Sequence, residues 1–333
     1  MVEPVEEHMI FQNSIVRGLG ALLVLASLQP NTSQATEQLK GPIKLVVPFA
    51  VGGSVDALAR IVASGLEETS GQRVVVENRT GAEGSIAAQY VVRSAADGKT
   101  LLMGTTTQLL WVPLSRKEPP YNPATALKPI GMLGESAFFM YVNASIPVNS
   151  VAELVAFAKA NPDKLNYAYG NSTGNIAAAQ LIQKAQIKMN AVPYNGEAQA
   201  ITDLLGNRVQ VMFATTVSVL EQVKEGRVKA LAVVGSARSP LAPSVPTFAE
   251  SGMSAVDLSP WAAVFVPAAT SSDLTDALSS ALVKALTTSA VETKLAGVGL
   301  TVRPMPAREM VTFVPNELKK WDGIITRAGI VKD

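Results

Sequence analysis

Ile43-Lys44-Leu45-Val46-Val47-Pro48-Phe49, continued by Ala50-Val51-Gly52-Gly53-Ser54-Val55-Asp56, is the stretch on which the fold reading turns. Its first half is a nearly continuous apolar run rich in β-branched residues, the composition of a strand buried on both faces. Gly52-Gly53 then turns the chain. Ser54 and Asp56 are residue types that cap helix starts, and Leu58, Ile61, Val62 and Leu66 follow at helical spacing until Gly71 stops the run.

A strand that passes through a glycine turn into an amphipathic helix is the repeating unit of a parallel α/β sheet. The unit recurs along the chain. Residues 73–77 form a strand that leads through Asn78-Arg79-Thr80-Gly81-Ala82-Glu83-Gly84 into a helix from Ser85, and strand 100–104 ends in Thr105-Thr106-Thr107-Gln108. The middle of the chain restarts the arrangement with helix 151–160, strand 165–169, the loop Gly170-Asn171-Ser172-Thr173-Gly174-Asn175 and helix 176–185. It continues with strand 188–194, helix 197–205, strand 209–215, helix 217–225 and strand 228–234. The last third holds a strand at 262–266 and helices at 274–288 and 308–327, the second of which Pro315 is expected to kink.

If that third packs back on the first lobe, the chain crosses twice, near residues 139–143 and 257–260, and two crossings make a hinge. The expected fold is therefore α/β, with two doubly wound lobes joined by a two-crossing hinge. Lobe 1 comprises residues 36–140 and 258–333, and lobe 2 residues 141–257.

Composition narrows the chemistry. With 333 residues, 48% hydrophobic and 17% charged, the chain has enough apolar surface for two cores. It has no cysteine, which excludes disulfides, thiolate metal sites, a cysteine nucleophile and a lipidated N-terminal cysteine. Arg17, the apolar run 18–28 and Ser33-Gln34-Ala35 read as a secretory signal, so residues 1–35 are expected to be removed and the protein to work in the periplasm. The run is too short for the roughly 20 residues of a membrane span. His8, the single histidine, leaves with that segment, so the mature chain has none for zinc or for general-base work. Losing Glu3, Glu6, Glu7 and Arg17 leaves 27 basic and 24 acidic residues, a net +3, too weak an excess for a nucleic-acid partner.

In open parallel sheets ligands bind beyond the carboxyl ends of the strands. The loops there are 50–56, 78–85, 105–108, 170–175, 194–196 and 214–218, and they are built from Gly, Ser, Thr and Asn with Arg79 as their one cation. Helix-start N–H groups hold a carboxylate or phosphate without a formal cation. Gly52-Gly53 reads either as a close approach of backbone to ligand or as a plain turn. Thr105 to Thr107 read either as hydroxyl donors or as a solvated cap. Tyr194 and Trp261 either line the cleft or pack a corner.

Gly170-Asn171-Ser172-Thr173-Gly174 matches G-x-S-x-G between a strand and a helix, the setting of a hydrolase nucleophile. Ser172 would need a base, however; the mature chain has no histidine, and no S-x-x-K spacing follows. A serine hydrolase centred on Ser172 is thus the alternative reading, and a hydrogen-bond donor and helix cap at an anion site the preferred one. No strand-to-helix loop carries G-x-G-x-x-G, which removes the signal for a dinucleotide. No cofactor and no metal site is expected.

The motifs Val47-Pro48-Phe49-Ala50-Val51-Gly52-Gly53-Ser54-Val55-Asp56, Val76-Glu77-Asn78-Arg79-Thr80-Gly81-Ala82-Glu83-Gly84, Val192-Pro193-Tyr194-Asn195-Gly196, Asp203-Leu204-Leu205-Gly206 and Val245-Pro246-Thr247-Phe248-Ala249-Glu250-Ser251-Gly252 resemble the substrate-binding proteins of tripartite tricarboxylate transporters, the Bug-type receptors. The resemblance implies a monomeric two-lobe receptor of the type II periplasmic binding protein kind that closes on a small carboxylate, a di- or tricarboxylate or an aromatic carboxylate, and passes it to transporter subunits in the membrane. Carried over by position, the grip falls on Phe49, Gly53, Ser54, Asp56, Ala82, Thr105, Thr106, Thr107, Ser172, Thr173, Tyr194 and Thr216, with Asp56 alternatively serving only its helix start. The chain departs from the family pattern at Ala177 and Ala191, where histidines are usual, at Asn195 in place of lysine, and at Ala214 in place of aspartate. The missing acid at Ala214 argues against a ligand with a cationic head group, and the less polar cleft leaves room for an aromatic or long-chain carboxylate.

Overall fold

The computed structural model describes residues 41–327 and Lys332, apart from Asn195, Thr216, Ser236, 254–257 and Ser259 and the side chains of Val217 and Ser218. The expected signal segment, Thr216 and the 257 end of the second crossing lie outside the described residues.

The chain builds two sheets. The first begins with β1 (Ile43–Val47), α1 (Ser54–Ser70), β2 (Val74–Asn78), α2 (Ser85–Val92), β3 (Thr100–Thr105) and β4 (Leu127–Ser136). The second comprises β5 (Phe138–Asn143), α3 (Val151–Ala160), β6 (Asn166–Tyr169), α4 (Ser172–Ala185), β7 (Asn190–Pro193), α5 (Glu197–Leu205), β8 (Val211–Ala214), α6 (Val217–Lys224) and β9 (Val228–Val234). The chain then returns to the first sheet with β10 (Trp261–Pro267), α7 (Ser272–Leu286), α8 (Ser289–Gly297), β11 (Leu300–Pro306) and α9 (Ala307–Arg327). Strand order is β11-β4-β10-β3-β1-β2 in one sheet and β7-β6-β8-β5-β9 in the other.

Alternation along the strands explains the layers. Ile43, Leu45 and Val47 face a core shared with Leu58, Val62 and Leu66 of α1 and Leu278 of α7, while Val46 faces the core of Ala87, Ala88 and Val91 on α2. A strand whose side chains point to opposite faces and are apolar on both needs a helix layer on each side. The second sheet repeats this: Phe139 and Tyr141 pack with Ala200 and Leu204 of α5, and Phe138 and Met140 belong to the core of Leu154 and Ile176.

The sheets are mixed rather than parallel throughout. β1 runs parallel to β2 and β3, and β6 parallel to β7 and β8. The strand that arrives from the other lobe inserts antiparallel in each case, β5 between β8 and β9, and β10 between β3 and β4. Apolar runs such as Phe138 to Val142 carry no information on strand direction. β4, β5, β11 and α8 were not foreseen from sequence. α9 runs without a break through Pro315, which lies exposed on the solvent side and so spares the buried face a lost hydrogen bond.

The two crossings lie side by side. Only Ala137 separates β4 from β5, the Ser136 N–H donates to the Pro260 carbonyl at 2.7 Å, and the Ala137 N–H donates to the Gly299 carbonyl at 3.0 Å.

Candidate functional site

Asp56, in the first turn of α1, is 2% exposed. Its carboxylate accepts from the Gly52 N–H at 3.0 Å, from Arg60 Nε at 2.9 Å and Nη2 at 3.1 Å, and from Asn78 Nδ2 at 2.9 Å. Asn78 Nδ2 also donates to the Phe49 carbonyl at 3.0 Å. Asp56 and Asn78 thus fix the loop that carries Phe49 and Gly53. Burial pushes the Asp56 carboxyl up, but the donors from Arg60, Gly52 and Asn78 outweigh it and hold the group below its ordinary value.

Because the pKa is depressed in the folded state, this stabilisation is present above the ordinary aspartate range and disappears as pH falls through the lowered value. Asp56→Asn turns an amide N–H against the donors of Gly52 and Arg60, and is expected to cost about 1–3 kcal/mol near neutral pH. Thermal denaturation at pH 7 and pH 3 checks this; the gap between wild type and variant should narrow at the lower pH.

Three helix starts at the strand ends have glycine before them and no side-chain cap: Gly53 before α1, Gly84 before α2 and Gly196 before α5. Ser54 is the first helical residue rather than the cap. Exposed Ala82 has φ +45° and Glu83 φ +55°, between Gly81 and Gly84, both also at positive φ. Two non-glycine residues held in this region store strain of about 1–2 kcal/mol each. Arg79, the one loop cation, is paired with Glu77 and lies over the Tyr90 ring at 3.6 Å. Gln108, fully buried, accepts from the Thr105 N–H at 2.9 Å and the Thr105 hydroxyl at 2.7 Å, and so orients the end of β3.

The chain leaves β3 at Thr106 through a π-type turn, Thr107–Trp111, that packs on α4 of the other lobe. There the lobes meet. Thr106 Oγ1 lies 3.3 Å from Thr173 Oγ1, and the Ser172 hydroxyl donates to Thr107 Oγ1 at 3.4 Å. All four residues are at most 5% exposed. Hydroxyl pairs at such separations are long and weak, whereas a carboxylate oxygen accepts shorter, stronger bonds from the same donors.

In the second lobe Asn171, not Ser172, caps α4, accepting from the Gly174 N–H at 2.9 Å, and the helix starts within the GNSTGN loop. The Tyr194 hydroxyl donates to Asp203 Oδ2 at 2.7 Å; burial and that bond push its pKa up to about 12. Trp261 packs edge-on against Phe313 and donates to Glu317 Oε2 at 3.2 Å, so it fills a corner rather than the cleft.

Sequence reasoning missed Glu197. Its Oε1 accepts from Asn171 Nδ2 at 2.9 Å and from the Thr215 N–H at 3.1 Å, and the Thr215 hydroxyl lies 3.1 Å from Oε1 and 3.0 Å from Oε2. Burial pushes its pKa up against these donors. An acid at a helix start inside loops otherwise made of Gly, Ser, Thr and Asn was the available signal.

The structure therefore brings Thr106, Thr107, Ser172 and Thr173 together across the lobes. Phe49, Gly53, Ser54 and Ala82 stay on first-lobe loops, with no hydrogen bond to the second lobe among the described residues. Ser172 has the Thr107 hydroxyl as its side-chain partner and no base beside it among the described residues. Among the described residues no group of three His, Cys, Asp or Glu could hold a metal ion.

Comparison with known proteins identifies the family and agrees with the two-lobe fold. The protein BugT of Bordetella pertussis (strain Tohama I) is 34% identical over 315 residues, covering 93% of this chain and 96% of that one. The structure of periplasmic binding protein BugD superposes with a TM-score of 0.79 at 30% identity, covering 88% of this chain and 99% of that one. R. palustris Rpa4515 with adipate gives 0.82 at 30% identity, with 88% and 98% covered. MatC (Rpa3494) from Rhodopseudomonas palustris with bound malate gives 0.77 at 27%, with 86% and 99% covered. With residues 58–330 matching the profile of the tripartite tricarboxylate transporter family receptor, TctC, the chain belongs to that family of solute-binding receptors.

Proposed function

We propose that the protein is a periplasmic receptor that captures a small carboxylate by closing its two lobes and delivers it to a tripartite tricarboxylate-type membrane transporter, acting as a monomer and without covalent chemistry. The observation that carries the reading is the convergence of four buried hydroxyls, two from each lobe, at the carboxyl ends of β3 and β6. Adipate and malate in the two R. palustris relatives support the ligand class. Lobe 1 comprises residues 36–140 and 258–333 and lobe 2 residues 141–257, a division that the change of sheet between β4 and β5 and again before β10 supports. Residues 1–35 act as the export signal.

The grip uses backbone groups of Phe49, Gly53, Ser54 and Ala82, hydroxyls of Thr105, Thr106, Thr107, Ser172 and Thr173, and Tyr194, with Thr216 carried over from the family resemblance alone. Asp56 acts by holding the loop, since its acceptor sites are filled from within the lobe.

Thermal-shift screening against mono-, di- and tricarboxylates, aliphatic and aromatic, tests the reading. A carboxylate at a hundred times its Kd should stabilise the fold by about 2.7 kcal/mol. No shift from any of them overturns it. Thr106→Val and Ser172→Ala should each weaken the best carboxylate by roughly 10- to 100-fold, the worth of one hydrogen bond to a charged group, with stability nearly unchanged. Covalent labelling of Ser172 by a serine-directed probe, with ester turnover, would instead establish the hydrolase.

A further inference from the structure

Three second-lobe loops meet at Glu197. The Asn171 amide comes from the cap of α4, the Thr215 N–H and hydroxyl come from the loop between β8 and α6, and Glu197 opens α5. Loop N–H groups, side-chain amides and hydroxyls beyond the carboxyl ends of the strands are the groups with which such a lobe can hold a ligand anion. Here a carboxylate of the protein itself occupies them.

No lysine or arginine forms an ion pair with Glu197 among the described residues. The second-lobe loops 170–175, 194–196 and 214–218 contain no cation at all. Glu197 remains partly exposed, and its Oε2 accepts only from the Thr215 hydroxyl among the described residues. An acceptor with spare capacity therefore stands where the loop 170–175, the loop after β8 and the start of α5 meet. Tyr141, fully buried nearby, has a hydroxyl without a partner, and its pKa is pushed up by burial and by the Glu197 charge.

We infer that Glu197 is a built-in anion that fills the donor cluster of Asn171 and Thr215, so that the receptor selects a ligand with one carboxylate, held by the first-lobe loops and the hydroxyls between the lobes, and a neutral or proton-donating far end, and discriminates against a second carboxylate there. Two like charges brought together away from bulk water repel strongly, and the loops offer no cation to offset them. A hydroxyl or ammonium at the far end finds the open lone pair of Oε2 instead. This restores the possibility of a cationic head group that the alanine at position 214 argued against: the acid is supplied from position 197. The inference rests on the carboxylate-receptor reading and adds the class of ligand.

The test uses two series matched in carbon count: butyrate, succinate and 4-aminobutyrate, and hexanoate, adipate and 6-aminohexanoate, titrated calorimetrically. In at least one series the wild type should bind the amino acid or the monocarboxylate at least tenfold more tightly than the dicarboxylate. In Glu197→Gln the dicarboxylate should gain at least tenfold relative to the amino acid, while the circular dichroism spectrum stays unchanged. Glu197→Ala, which leaves Asn171 and Thr215 to water, should move the ratio the same way. A wild type that prefers succinate or adipate overturns the inference and leaves the carboxylate reading standing, as does a ratio that moves less than about threefold in both variants. Silence from all six compounds overturns the inference, and silence from the wider carboxylate panel then overturns the reading beneath it. Should both variants unfold, the wild-type ranking alone supports or overturns the inference.

Discussion

Gly134→Ala is expected to destabilise the protein by about 2–5 kcal/mol, a large part of the 5–15 kcal/mol by which a typical domain is stable. Gly134 sits in β4 between two neighbours, opposite Ala262 of β10 and Val302 of β11, at a register shift in both ladders. Its φ is +152°, and a Cβ there would lie 2.1 Å from the Thr301 carbonyl oxygen and 2.9 Å from the Arg303 nitrogen. Those atoms are backbone, so no rotamer change relieves the clash. β11 has to peel away from β4, exposing Leu300, which is 1% exposed in the intact fold. Overpacking accounts for about 1–3 kcal/mol and positive φ for a further 1–2 kcal/mol. Gly71→Ala, at φ +68° with no atom within 4 Å, is the control. It carries the conformational strain alone and should cost about 1 kcal/mol. Urea denaturation of the two variants separates clash from strain, and equal midpoints would show that β11 accommodates the methyl.

The same strand shows why the fold was only partly legible in the sequence. Val46-Val47 and Leu101-Leu102 announce buried strands because each is apolar on both faces, and the glycine turn after the first announces its helix. β4 contains Pro129, Gly131 and Gly134, residues that signal turns, and β11 contains Pro304 and Pro306. Both become strands through tertiary context. β11 is the outermost strand of its sheet, where a missing N–H is tolerated, and the glycines of β4 fit where neighbouring backbone leaves no room for a side chain.

The site divides in a similar way. Loop positions follow from the element order, so Thr106, Thr107, Ser172 and Thr173 were identifiable one lobe at a time. That they touch across 65 to 67 residues of chain depends on the hinge, which no local pattern encodes. For Asp56 the resemblance offered a ligand group and its place at a helix start offered a purely local role, whereas the four donors to it, from Gly52, Arg60 and Asn78, are visible only in three dimensions.

Gly170→Ala should have the largest effect on binding of any change outside the hydroxyls themselves. A Cβ at Gly170 would stand 2.5 Å from the Glu197 nitrogen, 2.5 Å from the Gly196 carbonyl carbon and 2.8 Å from its oxygen. The loop after β6 and the start of α5 pack backbone against backbone, and one of them has to retreat by about 1 Å to reach ordinary van der Waals separation. Displacing α5 carries Glu197 away from Asn171 and Thr215, and displacing the 170 loop carries Ser172 and Thr173 away from Thr106 and Thr107. Either movement takes at least one hydrogen bond to a charged group out of range, about 1.5–3 kcal/mol, or roughly 10- to 150-fold in affinity. The fold itself should lose only about 1–3 kcal/mol, because the clash lies at a partly exposed loop rather than in the core. Calorimetric titration with the carboxylate that shifts the wild type most, beside a melting curve of the same preparation, separates the two effects. Wild-type affinity in a folded Gly170→Ala protein would mean that the second-lobe loops do not grip the ligand, because the bonds that hold Ser172 and Glu197 in place do not survive that methyl group.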